Sequence, residues 1–280
     1  MELPRIPVVL ALALVPFAFL PSCGSTEEAA EVEPPAETAD APEPTALGGV
    51  EADASVEPVL RAMAGALRSA RSLSFRVESW TDEEMEEGVH YSVGAESRVL
   101  LRYPDRLLVD RVGEKGRRVM RYDGASFSVC DPERGLWGRI PAPGTIDGML
   151  DMLHADYGIV VPLADLFVGD PYDAYTSVAD RALHLGVHDV RGVPCHQVSL
   201  STDWLAWQIW VPVEGPALPR RVEIRYLDEA GSPRYLAHLD EWKVDPPAED
   251  AAFLFTPPAG SEEIEFRRPT TDGEAPADGR

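Results

Sequence analysis

Positive charge is scarce in this chain of 280 residues: Lys and Arg together number 25 against 48 Asp and Glu, a formal charge of −23. Phosphate backbones are bound by clustered Lys and Arg, so nucleic acid is excluded as a partner. Electrostatic docking on an anionic bilayer is excluded with it, and membrane contact has to come through apolar insertion or a covalent lipid. Catalytic signatures are also lacking. No G-x-S-x-G occurs, and the serines nearest to histidines have no supporting turn. His184 and His188 stand four apart, but the alternation of Leu183, Leu185 and Val187 makes the run a strand and separates them by about 13 Å, too far for one metal. Asp147, Asp151 and Asp156 read as a solvated helix face rather than an acid–base pair. Asp165, Asp170 and Asp173 lack calcium-loop spacing. No enzyme activity, cofactor or metal is expected.

A long apolar run is missing as well. The N-terminus has one, Ile6 to Leu20, that is short and broken by Pro7 and Pro16, which fits an export signal better than a transmembrane helix. It ends in Leu20-Pro21-Ser22-Cys23, which resembles a bacterial lipobox although Pro21 is an unusual occupant of its position. The resemblance implies lipidation of Cys23 and cleavage before it, making residues 1–22 a lipoprotein signal peptide. Acyl chains contributing ~0.8 kcal/mol per buried CH₂ would hold the protein on a bilayer. Gly24 and Ser25 follow, with no Asp at the second mature position; by resemblance to the sorting pattern of Gram-negative lipoproteins, this points to the outer membrane, facing the periplasm. Residues 23–54 then read as a lipid-anchored acidic linker. From Gly24 to Ala54 there is no Lys or Arg and hardly a large apolar side chain, too little to offset the entropy of ordering. The tail 268–280 reads as disordered.

Between these ends, residues 55–267 form one domain. From Ser97 to Pro143 short runs alternate apolar and polar between the breaks Tyr103-Pro104-Asp105, Gly113 to Gly116, Asp123-Gly124 and Asp131-Pro132. Period two between turn residues predicts an antiparallel meander with one buried face. A helix from Ser55 to Ser72, with Ser55 as cap and Leu60, Met63, Leu67 and Ala70 on one face, precedes the first strand, Leu73 to Trp80. A second helix starts at the cap Thr145, with Ile146, Met149, Leu150 and Leu153 as its apolar stripe. A short third helix spans Pro162 to Phe167, and Gly169 to Asp180 reads as a polar loop. Strands resume from Leu183. Tyr235, Ala237 and Leu239 face one way and His238, Asp240 and Trp242 the other. Phe253-Leu254-Phe255 closes the core before Pro257-Pro258. The fold class is mainly β (α+β): a strongly curved antiparallel sheet, an unclosed half-barrel, with helices over its concave face. Cys130 and Cys195, both in strands, are candidates for a disulfide or two separate buried thiols.

Several segments carry a family resemblance: Tyr122-Asp123-Gly124 to Phe127, Pro141-Ala142-Pro143 with Thr145-Ile146-Asp147, Tyr157-Gly158-Ile159 and Pro162 to Phe167. Gly192 to His196, Trp207 to Trp210, Leu218 to Arg221 and Phe255 to Pro258 continue it. Together they resemble a family of predicted periplasmic proteins known only as a domain of unknown function, similar in fold to the LolA and LolB outer-membrane lipoprotein carriers. The resemblance covers most of residues 57 to 266 and implies an apolar cavity between sheet and helices, of the sort that binds acyl chains. Fold-level likeness alone is weak grounds for function.

The expectation is thus a membrane-anchored periplasmic lipoprotein, held through Cys23, that binds an acyl chain or a lipidated protein and acts as a carrier or chaperone. The alternative is an envelope protein-interaction or sensor module without a lipid ligand. Ligand contacts are expected from Phe75, Val77, Leu101, Leu107, Val109 and Phe127 on the first strands. Met149, Leu150, Leu153, Leu166 and Phe167 supply them from the helices, and Trp207, Ile209 and Ile224 from the later strands. Trp207 and Trp210 must face opposite sides of their strand, and Trp207 is assigned to the cavity side.

Overall fold

The computed structural model describes residues 45–47, 50–84 and 90–268. The stretch read as a signal peptide, Cys23, most of the stretch read as an acidic linker and nearly all of residues 268–280 lie outside the described residues. In chain order the elements are β1 (Thr45–Leu47), β2 (Val50–Ala52), α1 (Val56–Ser69), β3 (Ser72–Glu84), β4 (His90–Arg102), β5 (Arg106–Gly113), β6 (Gly116–Tyr122), β7 (Ser126–Asp131) and β8 (Leu136–Pro141). Then come α2 (Ile146–Tyr157), a 3-10 turn (Ala164–Leu166), α3 (Pro171–Thr176), β9 (Arg181–Val190), β10 (Val193–Ser201), β11 (Leu205–Pro212), β12 (Arg221–Tyr226), β13 (Arg234–Val244), α4 (Asp250–Phe253) and β14 (Glu262–Glu263).

All strands belong to one sheet, ordered β1-β2-β9-β10-β11-β12-β13-β3-β4-β5-β6-β7-β8-β14. Two antiparallel meanders, β3 to β8 and β9 to β13, are joined side by side through β13 and β3. The short pairs β2 with β9 and β14 with β8 are parallel, so the sheet is mixed at its margins, and it does not close into a barrel. This order decides where the helices go. The chain leaves β8 near one margin and must reach β9 near the other, so residues 142–180 have to cross the whole sheet. The apolar face of the sheet is the surface that gains from being covered.

The two faces differ as the alternation predicts. Leu73, Phe75 and Val77 of β3 turn toward the helices together with Leu101, Leu107, Val109, Tyr122 and Phe127. On the convex side Arg76 forks onto Asp240 (2.9 Å to each oxygen) and reaches Glu96 (3.1 Å), while Glu223 is buried between Arg221 and Arg225. One strand departs from simple alternation. A bulge between Asp240 and Lys243, with Glu241 at φ 53°, returns Trp242 to the core side, where it stacks on Phe75 with ring centroids 4.3 Å apart. Parity alone groups Trp242 with His238 and Asp240; one extra residue in the ladder reverses it.

Other expectations are corrected locally. Ser55 precedes α1 but its hydroxyl bonds Asp53 (2.5 Å), and it caps no helix N–H. The sheet also begins earlier than residue 55, since β1 and β2 come from the stretch read as linker. The expected helix from Pro162 to Phe167 is a single 3-10 turn, and the loop after it holds α3, capped by Asp170 with Pro171 at its first position. Of the segment expected to close the core, Phe253 is fully buried at the end of α4, while Leu254 points to solvent. Cys130 and Cys195 are free buried thiols on β7 and β10, with β11 to β13 and β3 to β6 between them, so they form no disulfide.

The C-terminal segment wraps the sheet margin. It passes over the convex side at Phe255, which packs on Trp137, runs beside β8 at Glu262–Glu263, and sets Phe266 on the core side against Phe127 and Tyr157. A strap of this kind shields an edge that would otherwise pair with other chains. Gly138 lets it through, because a Cβ there would meet the Phe266 ring at 2.8 Å and the Ile264 carbonyl at 2.9 Å. Gly138→Ala is expected to cost ~1–3 kcal/mol and to speed proteolytic removal of the tail. Unchanged cleavage would show that this contact does not hold the strap.

Candidate functional site: the concave face and its helical cover

α2 forms as its sequence dictates. The Thr145 hydroxyl accepts from Gly148 N–H (3.1 Å), and Gly158 at φ 62° ends the helix in the left-handed conformation open to glycine. Ile146, Met149 and Leu153 are buried, with Leu150 half-buried beside them. The Asp147 carboxylate accepts from Gly169 N–H at 3.0–3.2 Å and fixes the loop after the 3-10 turn. Leu163, Leu166 and Phe167 carry the core contact of that turn, and Phe167 lies over Phe75 at 5.1 Å. Leu163 has φ 66°, a conformation disfavoured for a bulky side chain. In α3, Tyr175 lies against Trp207, with centroids 6.5 Å apart.

The way this cover is attached is informative. At its start Ile146 N–H donates to the Pro104 carbonyl (2.8 Å) and the Tyr122 hydroxyl donates to the Pro143 carbonyl. At its end Asp180 N–H donates to the Ser201 carbonyl (2.9 Å). Between these points, among the described residues, no hydrogen bond or ion pair joins residues 147–179 to a strand. Their outside polar contacts go to α1, through Arg68–Asp170 (3.1 Å) and Arg61 over the Tyr172 ring, and to the strap, through Arg268–Asp156 (3.8 Å). Contact with the sheet itself is apolar.

All the residues expected to touch a ligand meet in one cluster. Phe75, Val77, Leu101, Leu107, Val109, Phe127, Met149, Leu153, Leu166, Phe167, Trp207, Ile209 and Ile224 are buried in it, and Leu150 packs at its margin. Trp207 and Ile209 share the core side, whereas Trp210 turns to the convex side under the Arg221 guanidinium at 4.3 Å. The roomy hollow implied by the family resemblance is not there in this state. Side chains of the cover fill it, leaving a cavity of about 10 Å³ bounded by Asp165, Ala174, Tyr175, Leu205, Trp207, Val222 and Ile224. That is space for about one water.

The chemistry of that remnant goes beyond the sequence reading. Among the described residues the Trp207 Nε1–H has no partner, and neither has the hydroxyl of Tyr226, which pairs with Leu205 across β11 and β12. Asp165 keeps some contact with solvent, yet its carboxyl is crowded by protein, and desolvation raises its pKa to about 6. Burial, and secondarily the Asp165 charge, hold the Tyr175 phenol well above its usual value. From sequence Asp165 enters only as a calcium ligand to be rejected; the signal available was a lone acid among Leu163, Leu166 and Phe167.

Two histidines meet across neighbouring strands. His184 meets His196 across β9 and β10, Nε2 to Nδ1 at 3.0 Å, and burial followed by the His196 charge lowers the His184 pKa. His188 bonds the Leu185 carbonyl instead. Among the described residues no group of three or more His, Cys, Asp or Glu is placed to hold a metal. No described helix is long and apolar enough to cross a membrane.

An unclosed half-barrel with an apolar concave face and a helical cover is the class that fold and site define. Residues 57–267 match the family of predicted periplasmic proteins designated DUF2092, and the chain belongs to that family. No curated protein matches it. Among solved structures it is similar to an uncharacterized conserved protein from Thermus thermophilus, at 11% identity and TM-score 0.44, over 75% of this chain and 99% of that one. The lipoprotein LppX of Mycobacterium tuberculosis aligns at 13% identity and TM-score 0.37, over 71% and 99%. A LolA superfamily protein from Nitrosomonas europaea aligns at 10% identity and TM-score 0.35, over 70% and 97%.

Proposed function

We propose that this protein is a periplasm-facing lipoprotein, anchored through Cys23 and sorted to the outer membrane, that takes up an apolar chain beneath its helical cover. The ligand is an acyl chain or a lipidated protein, and the role is that of a carrier, with exchange and no covalent step. One observation carries this reading: residues 147–179 hold the sheet through apolar contact alone. An acyl chain offers the strands the same kind of contact, so it can replace Leu150, Leu153, Leu166 and Phe167 without leaving sheet hydrogen-bonding groups unpaired. Each CH₂ buried contributes ~0.8 kcal/mol toward that exchange. The cover hinges at its polar attachments at either end, Ile146 to Pro104 with Tyr122 to Pro143 at its start and Asp180 to Ser201 at its end.

The filled hollow supports a second reading, an envelope module that docks a protein partner and carries no lipid. Extraction separates the two. Protein purified from its native envelope is treated with solvent, and the extract is analysed by mass spectrometry for lipid beyond that attached to Cys23. The carrier reading expects about one chain per molecule, and Phe167→Ala is expected to change that occupancy while strand content by circular dichroism stays constant. Lipid-free protein from every preparation would leave the docking module.

A further inference from the structure

A larger recess than the concave cavity lies on the opposite side of the sheet. It is a groove of about 320 Å³ between the convex side of β6 and β7 and the C-terminal segment that crosses them. Val119 and Cys130, paired across the two strands, form its floor, and Leu254, Phe255 and Pro258 form an apolar wall. Its charged lining residues are Arg117 and Arg121. Alternation puts them there: Met120 and Tyr122 face the core opposite Val109 and Leu107, so Arg117, Val119 and Arg121 share the other side.

The two cations are not equivalent. Arg117 is engaged, with two bonds to Asp110 at 2.9 and 2.6 Å, and Glu133 accepts from its backbone N–H at 3.4 Å. Arg121 is half-buried, and among the described residues no carboxylate lies within the 4.0 Å of an ion pair with it. Its guanidinium lies beside apolar surface with no ion pair to occupy it, and Asp110, bonded to Arg117, acts on it only from a distance. Its planar fork matches a carboxylate, and the wall beside it can bury a hydrocarbon chain. The groove is at the small end of ligand pockets, with room for one chain rather than a two-chain lipid.

We infer that this groove binds a single-chain carboxylate, of the fatty-acid class, with its head on Arg121 and its chain along Leu254, Phe255 and Pro258. The inference is independent of the helical cover. The test is calorimetric titration of octanoate into the full chain carrying Cys23→Ser, which bears no acyl group to compete. Octanoate is expected to bind one to one, and Arg121→Gln to weaken it about tenfold, as the loss of a charge-assisted contact does. Octan-1-ol, with the same chain and no charge, is expected to bind at least about tenfold more weakly. Absence of octanoate binding, or equal binding of the alcohol, overturns the site. Octanoate binding that Arg121→Gln leaves untouched places the chain elsewhere, which also overturns the groove while leaving uptake beneath the helices standing.

Discussion

Replacing Phe75 by Ala is expected to remove ~3–5 kcal/mol of stability, the usual cost of truncating a buried phenylalanine. At about 2–4 °C per kcal/mol for a domain of this size, the melting temperature should fall by roughly 6–20 °C. The reason is its position between two aromatic partners, Phe167 of the cover at 5.1 Å and Trp242 of the bulged β13 at 4.3 Å. Phe75 therefore ties β3 to the bulged β13 as well as sheet to cover. Phe167→Ala removes only the second contact, so it should cost less than Phe75→Ala and should loosen the cover selectively. Thermal denaturation of the two variants checks the order, and a larger loss for Phe167→Ala would contradict it.

Asp165→Asn is expected to stabilise the protein at neutral pH and to leave it unchanged near pH 4. The folded-state pKa, about 6, lies above the ordinary 3.8 because burial disfavours the charge. Stability from the neutral acid is complete below about 3.8, falls as pH rises toward 6, and stays lower above it. The full difference is on the order of 1–3 kcal/mol, or several degrees in melting temperature. Asn copies the neutral acid and does not titrate, so it escapes the loss. In wild type the charge that forms near neutrality sits in the 3-10 turn of the cover, beside the unpaired Trp207 indole, and favours the cover's departure from the sheet. Melting curves at pH 4 and pH 7.5 measure the effect; a gain that is the same at both would show that Asp165 is not the titrating group.

Regular alternation made the sheet legible. Where every second residue of β3, β5, β7 and β11 is apolar, the core side follows from period two alone, and Trp207 separates from Trp210 on that ground. Irregular backbone defeats the same logic. The bulge at Glu241 reverses Trp242, and the extra residue in β9 before Val187 puts His184 and His188, four apart in sequence, on opposite faces of the sheet. α3 is hidden because it is short and rich in Asp and Tyr, although Asp170-Pro171 is a helix-start signal. The filling of the hollow is beyond the sequence for a different reason. Period and polarity say which side chains face inward, but not whether their summed volume exhausts the space, since that depends on how far the sheet bends.

Amide hydrogen exchange at neutral pH tests the central claim most directly. If residues 147–179 are held to the sheet by apolar contact alone, their buried amides should exchange through a local opening. That exchange should be at least about a hundredfold faster than for the core strands β3 to β5, which open only with the whole domain. Equal protection in cover and strands would mean that the helices leave the sheet only when the protein unfolds, and would contradict the account.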